Sequence, residues 1–172
     1  KANKKGLVFF MKLSKAFFQT VGIVVMLAQL PEDETLKSQE MSARMQVSHS
    51  YLLKIAKKLK DAGVITSSAS KNGGYSLAKK PEEISFLDLF DAVESGEAFH
   101  ENFDVEIAQG IFITPTLIEE KSNRLIDLLN EAEQAYRERL ANHKLSDILP
   151  SDADGKLIQI DWQVILADDS KI

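Results

Sequence analysis

Apolar positions along the chain change their spacing repeatedly, and each change marks an element. Over Lys12–Leu30 they fall on most sides of a helix: Phe17, Phe18, Val21, Val24, Val25, Leu27 and Ala28. A helix this apolar belongs in a core. Pro31 and the acidic run Glu32-Asp33-Glu34 end it. A short second helix begins at Thr35 or Lys37 and runs to Arg44, with Thr35 or Ser38 able to cap it. Met45-Gln46-Val47 reads as a turn. Ser48 suits the N-cap of a third helix, because its hydroxyl can accept from the free amides of the first turn. On that helix Leu52, Ile55, Ala56, Leu59 and Ala62 keep helical spacing and face inward, and Gly63 ends it.

The spacing then changes to that of strands. Val64–Ala69 and Gly74–Lys79 are short runs separated by Ser70-Lys71-Asn72-Gly73, and Asn-Gly is a strong hairpin signal. Two helices, a tight turn and a hairpin over Met41–Tyr75 make the layout of a winged helix-turn-helix. Helical spacing returns at Phe86, Leu89, Phe90 and Val93, capped by Ser85 with Asp88 in a capping box. Ser95–Thr114 is irregular and reads as a connector. After Pro115, Thr116-Leu117-Ile118-Glu119 has the form of a capping box that opens a helix reaching about Asn142. Its stripe is Ile118, Leu125, Leu129, Ala132, Tyr136 and Leu140, widened by Leu117, Leu128 and Ala135. A long helix with one apolar stripe needs a partner surface, either its own domain or its copy in a dimer. Leu145–Pro150 is a last helical piece. Ser151–Gly155 is a polar break, and Ile158, Ile160, Trp162 and Val164 then alternate as in a strand over Lys156–Leu166.

The expected fold is therefore mainly α with a small β-wing, a winged helix-turn-helix followed by a long C-terminal dimerisation helix. The expected division is 1–10 as a tag remnant or N-terminal extension, 11–95 as the DNA-binding domain, 96–150 as connector and dimerisation helix, and 151–172 as an extension with a strand.

Charge sharpens this picture. Residues 1–80 carry 14 Lys/Arg and 5 Asp/Glu (+9), and residues 81–172 carry 7 and 21 (−14), together the net −5. A basic half coinciding with the helix-turn-helix suggests a half that meets phosphate. The chain has no cysteine, which excludes disulfides and thiolate-held zinc or iron–sulfur sites. His49, His100 and His143 are scattered, and no metal or other cofactor is expected. The apolar run Val21–Leu30 is short for a membrane span and contains Gln29. No cleavage site follows the basic and apolar start, so a cytoplasmic chain is expected. No nucleophile–base set, His-Glu metal motif or phosphate loop is present, so an enzyme is not expected.

The chemistry then points to double-stranded DNA. Lys54, Lys57, Lys58 and Lys71, with Lys12, Lys37 and Arg44 as further candidates, would neutralise phosphates. Lys60 reads as a solvated lysine. The first turns of a recognition helix point into the major groove, which makes Ser48, His49, Ser50 and Tyr51 the candidates for base contacts. Leu53 could touch a thymine methyl. A pure capping role for Ser48 and a packing role for Tyr51 fit the sequence as well.

These residues carry a resemblance. Met11-Lys12-Leu13-Ser14, Ser48-His49-Ser50-Tyr51-Leu52, Leu59, Ala62-Gly63-Val64-Ile65 and Gly73-Gly74-Tyr75-Ser76-Leu77-Ala78 are similar to the Rrf-two (BadM-type) family of bacterial regulators. Pro81–Ile84, Leu87–Glu94 and Leu140–Leu149 continue it, so that it covers residues 11 to about 150. The resemblance implies a homodimeric transcriptional regulator, expected to repress, with Lys71, Asn72, Gly73 and Tyr75 in its wing. It also implies that many members sense through a cluster held by cysteines in the segment matching Ser95–Pro115. That segment has none here, so the chain resembles a cluster-free branch. The wing has Ala69-Ser70 where many members have Arg-Gly, and Gln46 stands where such turns often place glycine. Without a cluster, a small molecule or partner protein is the expected effector, near Phe99, His100, Phe103 and Phe112, although these aromatics could simply pack an interface. The alternative to a DNA-binding regulator is a dimeric protein-interaction adaptor on the same scaffold.

Overall fold

A computed structural model describes residues 13–69, 73–94, 98–101, 103–162 and 164–165. Within these the chain is mainly helical, with helices α1 (Lys15–Ala28), α2 (Ser38–Met45), α3 (His49–Asp61), α4 (Phe86–Val93), α5 (Val105–Ile111) and α6 (Pro115–Ala141), and strands β1 (Ile65–Ser67) and β2 (Tyr75–Leu77). Turns of 3-10 helix lie at Pro81–Glu83 and Leu145–Ile148.

Helix α1 opens at Ser14, whose hydroxyl accepts from the Phe17 amide at 3.2 Å and whose own amide donates to Glu94 Oε1 at 2.9 Å. The start of α1 is thereby fixed to the end of α4. Its inner face, Phe17, Ile23, Val24 and Leu27, meets Met41 of α2, Leu52, Ile55, Ala56 and Leu59 of α3, and Leu89 and Val93 of α4 in one core. Phe18 departs from the expected all-round burial, standing 62% exposed, while Gln19 and Thr20 are buried in its place.

Helix α2 starts one residue later than Lys37, the cap position, and neither Thr35 nor Ser38 caps it. Glu40 reaches back instead and accepts from the Lys37 amide at 2.8 Å. The strands pair antiparallel in the register Ile65↔Leu77, Thr66↔Ser76 and Ser67↔Tyr75. Leu36 adds a bridge on the open side of β2: its amide donates to Tyr75 O at 3.0 Å and its carbonyl accepts from the Tyr75 amide at 2.9 Å. A Cβ at position 74 would lie 2.6 Å from Leu36 O, so this approach requires glycine there.

The capping box at Ser85 forms as expected, with Asp88 accepting from the Ser85 amide at 2.8 Å and Ser85 Oγ accepting from the Asp88 amide at 3.1 Å. The connector reading of Ser95–Thr114 is corrected by helix α5, whose cap Asp104 accepts from the Glu106 amide at 2.8 Å. The start of α6 is also corrected. Thr114 is its N-cap, accepting from the Leu117 amide at 3.4 Å, and Pro115 is its first residue. Proline lacks only an amide that no helix start would satisfy internally, so the helix begins before Thr116. Arg137 of α6 forks onto Asp91 of α4 at 2.9 and 2.7 Å.

The strand expected over Lys156–Leu166 does not form among the described residues. The Asp152 carboxylate accepts from the Asp154 and Lys156 amides, which folds the chain into a tight loop bridged at Ser151↔Leu157. Beyond it the backbone finds a helix end instead of a strand. Ile160 N donates to Gln29 O at 2.7 Å, and Trp162, 8% exposed, joins the core at the end of α1.

Candidate nucleic-acid interface

Helix α3 rests on α2 through a tight corner. Gln46 supplies it in the left-handed region, at φ 53° and ψ 43°. Its amide donates to Ala43 O and that of Val47 to Ser42 O, which satisfies carbonyls the helix end leaves open. Ser48 then caps α3, with Oγ accepting from the Tyr51 amide at 3.3 Å. Gly63, at φ 67°, takes the chain out of α3 toward β1. Leu52, Ile55, Ala56 and Leu59 are buried, so this stripe fixes the rotation of the helix and leaves the opposite face outward.

That outward face carries Ser50, Tyr51, Leu53, Lys54 and Lys57, all exposed, as is Ser48. Tyr51 and Leu53 are each 39% exposed. Other candidates are placed differently. Ser38 Oγ and His49 Nε2 share a hydrogen bond of 2.8 Å, which joins the first residues of α2 and α3 and leaves only the other ring nitrogen of His49 for an outside partner. Lys58 turns to α4, where its ammonium donates to Val93 O at 3.2 Å. A cation at the last carbonyls of a helix is favourable, and this contact draws Lys58 away from the Lys54–Lys57 face. Lys60 donates to Ser67 Oγ at 2.9 Å, at the base of the wing. Gly73 and Tyr75 are half-buried, and Tyr75 pairs with Leu36. Lys71 and Asn72 lie outside the described residues.

The remaining candidates separate into two places. Tyr136 packs edge-on against Phe90, with centroids 5.7 Å apart, and tilted against Phe99 at 6.1 Å. Burial there, with Glu94 nearby, pushes the Tyr136 hydroxyl above its usual range. Phe103 lines two hollows between α5 and α6, of about 580 and 310 Å³, and Phe112 lines the smaller one. His100 precedes them in the chain, its carbonyl accepting from the Phe103 amide at 2.8 Å and its Nδ1 buried without a hydrogen-bond partner. Of the α6 stripe, Ile118, Leu129, Tyr136 and Leu140 are half-buried, and Leu125 and Ala132 are exposed.

Sequence reasoning missed the Lys58–Val93 and Ser38–His49 contacts, since nothing in a single helix reports which neighbour it meets. The second glycine of Gly73-Gly74 was a signal for the Leu36 bridge. The family model for Rrf2, described as an iron-dependent transcriptional regulator, matches residues 13–151. The chain belongs to the Rrf2 family. YffB of Lactococcus lactis, whose name describes an HTH-type transcriptional regulator, is 37% identical over 142 residues, 80% of this chain and 86% of that protein. The HTH-type transcriptional regulator NsrR of Halalkalibacterium halodurans is 28% identical over 83% of this chain and 92% of its own length. The fold is that of CymR, the global cysteine regulator of B. subtilis, with a TM-score of 0.58 at 21% identity over 80% of this chain and 95% of that one. It is equally that of T. potens IscR, with a TM-score of 0.56 at 19% identity over 95% and 93%.

As a member of the Rrf2 family the chain is a transcriptional regulator and not an enzyme. The iron in the family description does not fit the residues present. The chain has no cysteine to ligate a cluster, and the described residues bring no three histidine or carboxylate side chains together for a metal. No described helix is long and apolar enough to cross a membrane.

Proposed function

We propose that this Rrf2-family protein binds a specific operator in double-stranded DNA as a homodimer and represses transcription without an iron–sulfur cluster. The observation that carries the DNA reading is the rotation of α3. Its buried stripe sends Ser50, Tyr51, Leu53, Lys54 and Lys57 together to the open face, the arrangement a major-groove helix needs. Ser48, His49, Lys58, Lys71, Asn72, Gly73 and Tyr75 complete the proposed interface, with Lys58 free to leave Val93 when phosphate is offered. In this reading residues 11–95 are the DNA-binding unit and 96–150 the connector and dimerisation helix.

The dimer is supported by apolar surface that the chain leaves uncovered. Ile113 is 95% exposed, and Ile107 and Ile111 of α5 and Leu117, Leu125 and Leu128 of α6 are exposed as well. A second copy would cover this face, with Ile118, Leu125, Leu129, Ala132, Tyr136 and Leu140 at the seam. The effector is a small molecule or protein that engages the α5–α6 region, with Phe103 and Phe112 nearest its hollows.

Selection of bound duplexes from a random DNA pool tests the proposal. A palindrome is expected, with half-sites about one helical turn or a small multiple apart. Failure to enrich any sequence at physiological salt would overturn it in favour of the dimeric adaptor.

A further inference from the structure

Helices α2 and α3 are joined at their first residues by a side-chain contact that neither helix needs for its cap. Ser38 Oγ and His49 Nε2 lie 2.8 Å apart, across 11 positions of the chain. Ser38 opens α2 and His49 opens α3. Which group donates follows from the place of the serine. A serine inside a helix can give its O–H to a carbonyl about one turn earlier, as Ser42 does to Gln39 O at 3.0 Å. No helical turn precedes Ser38, and its O–H has no other acceptor among the described residues. The hydroxyl therefore donates to His49 Nε2. A neutral imidazole carries one ring proton, which then sits on Nδ1.

This Nδ1–H is a donor with no partner among the described residues, on a half-buried ring. One turn on, on the same side of α3, stands Leu53, 39% exposed. The buried stripe of Leu52, Ile55, Ala56 and Leu59 sets the rotation of the helix. His49 is thereby at the edge of the outward face, beside Leu53. The first residues of a recognition helix are those that reach base edges. A neutral donor there matches an acceptor in the major groove: N7 or O6 of guanine, N7 of adenine or O4 of thymine. Cytosine presents only a donor. A ring already fixed through one nitrogen also has less rotamer freedom to lose when the other one binds.

We propose that His49 is a specificity-determining residue that donates from Nδ1 to a base acceptor in the major groove, and that Ser38 is the positioning residue that fixes its tautomer and orientation. This inference rests on the DNA-binding reading above and adds to it a residue of α2 that touches no base.

The test is fluorescence anisotropy of the full chain at mildly alkaline pH, on the labelled selected operator and on a scrambled duplex of the same length. Wild type is compared with Ser38→Ala, Ser38→Thr, His49→Ala and the Ser38→Ala/His49→Ala pair, each over a range of salt and each checked by a thermal melt. His49→Ala should weaken operator binding roughly 2- to 12-fold, the worth of one hydrogen bond, and leave binding to the scrambled duplex unchanged. Ser38→Ala should lose operator affinity in the same range, and the pair no more than His49→Ala alone. Ser38→Thr keeps the hydroxyl and should bind as wild type does. The slope of log affinity against log salt should stay the same throughout, because a neutral donor releases no counterion. A folded Ser38→Ala or His49→Ala protein with wild-type operator affinity would overturn the proposal, and a lower melting temperature beside that affinity would show a purely structural contact. Equal losses on both duplexes, or a slope flatter by about 0.9, would mark a phosphate contact and overturn the base assignment. Any of these results with wild-type binding intact defeats this inference alone, whereas absence of wild-type binding defeats the DNA reading as well.

Discussion

Helices α3 and α6 both carry an apolar stripe at helical spacing, and the chain treats the two stripes differently. On α3 Leu52 and Leu59 are wholly buried against α1, α2 and α4. On α6 Leu125 is 43% exposed, and Ser122 is the only buried residue of the helix. Periodicity reports that a helix has a face to cover, and it says nothing of who covers it. In the reading unit the cover is intramolecular and fixes the direction of each polar side chain. Along α6 part of the stripe, as at Tyr136 against Phe90, is used within the chain, and the remainder stays open.

The largest effect expected comes from truncating the two stripes in parallel. Leu52→Ala should cost roughly 2–5 kcal/mol of unfolding free energy, as for a fully buried leucine. Leu125→Ala should change the stability of the dilute chain by no more than about 0.5 kcal/mol. Chemical denaturation measures both. Sedimentation velocity at rising concentration then separates them, because Leu125→Ala alone should weaken self-association. Equal losses of stability would erase the distinction between the two helices.

Next in size is Gly74→Ala. A Cβ there meets Leu36 O at 2.6 Å, and the overpacking should cost about 1–3 kcal/mol. A denaturation midpoint equal to wild type would show that the wing does not depend on the Leu36 bridge. Gln46→Gly should act in the opposite direction. It removes the cost of a left-handed non-glycine residue at the α2–α3 corner and should stabilise the chain by up to about 1 kcal/mol. A lower melting temperature would mean that the Gln46 side chain contributes more than its backbone costs.

Much of this was legible in the sequence because it depends on neighbours in the chain. Ser48, the Ser85–Asp88 box and Gly63 are local signals, and they appear where their residue types require. The exposed lysines of α3 followed from the position of Leu52 and Leu59. Other features depend on distant residues. Asp104 was a readable cap for α5, but Gly110 and the aromatic content around it obscured the short helix. Lys58 could not be known to meet Val93, and Ser38 could not be known to meet His49. Alternation at Ile158, Ile160 and Trp162 imitated a strand because it marks one-sided burial, which a segment lying on a helix end also needs.

The smallest effect expected lies where α6 passes into the C-terminal segment. Asp147 accepts from the Lys144 amide at 3.0 Å and sits 3.2 Å from His143 Nδ1. These contacts hold its carboxyl below the ordinary aspartate range. The stabilisation is therefore present above that range and is lost as pH falls through the lowered value. Thermal melts of Asp147→Asn and wild type should differ slightly at neutral pH and converge in acid. A difference that persisted or grew in acid would contradict the assignment.

The central claim is that the face of α3 opposite its buried stripe meets DNA. Anisotropy titrations of Lys54→Ala/Lys57→Ala and wild type on the selected operator, across a series of salt concentrations, test it most directly. The variant should keep the wild-type melting temperature, bind far more weakly at physiological salt, and show a log affinity–log salt slope flatter by about 1.8, for two lost phosphate contacts. Wild-type affinity and slope in a folded variant would contradict it.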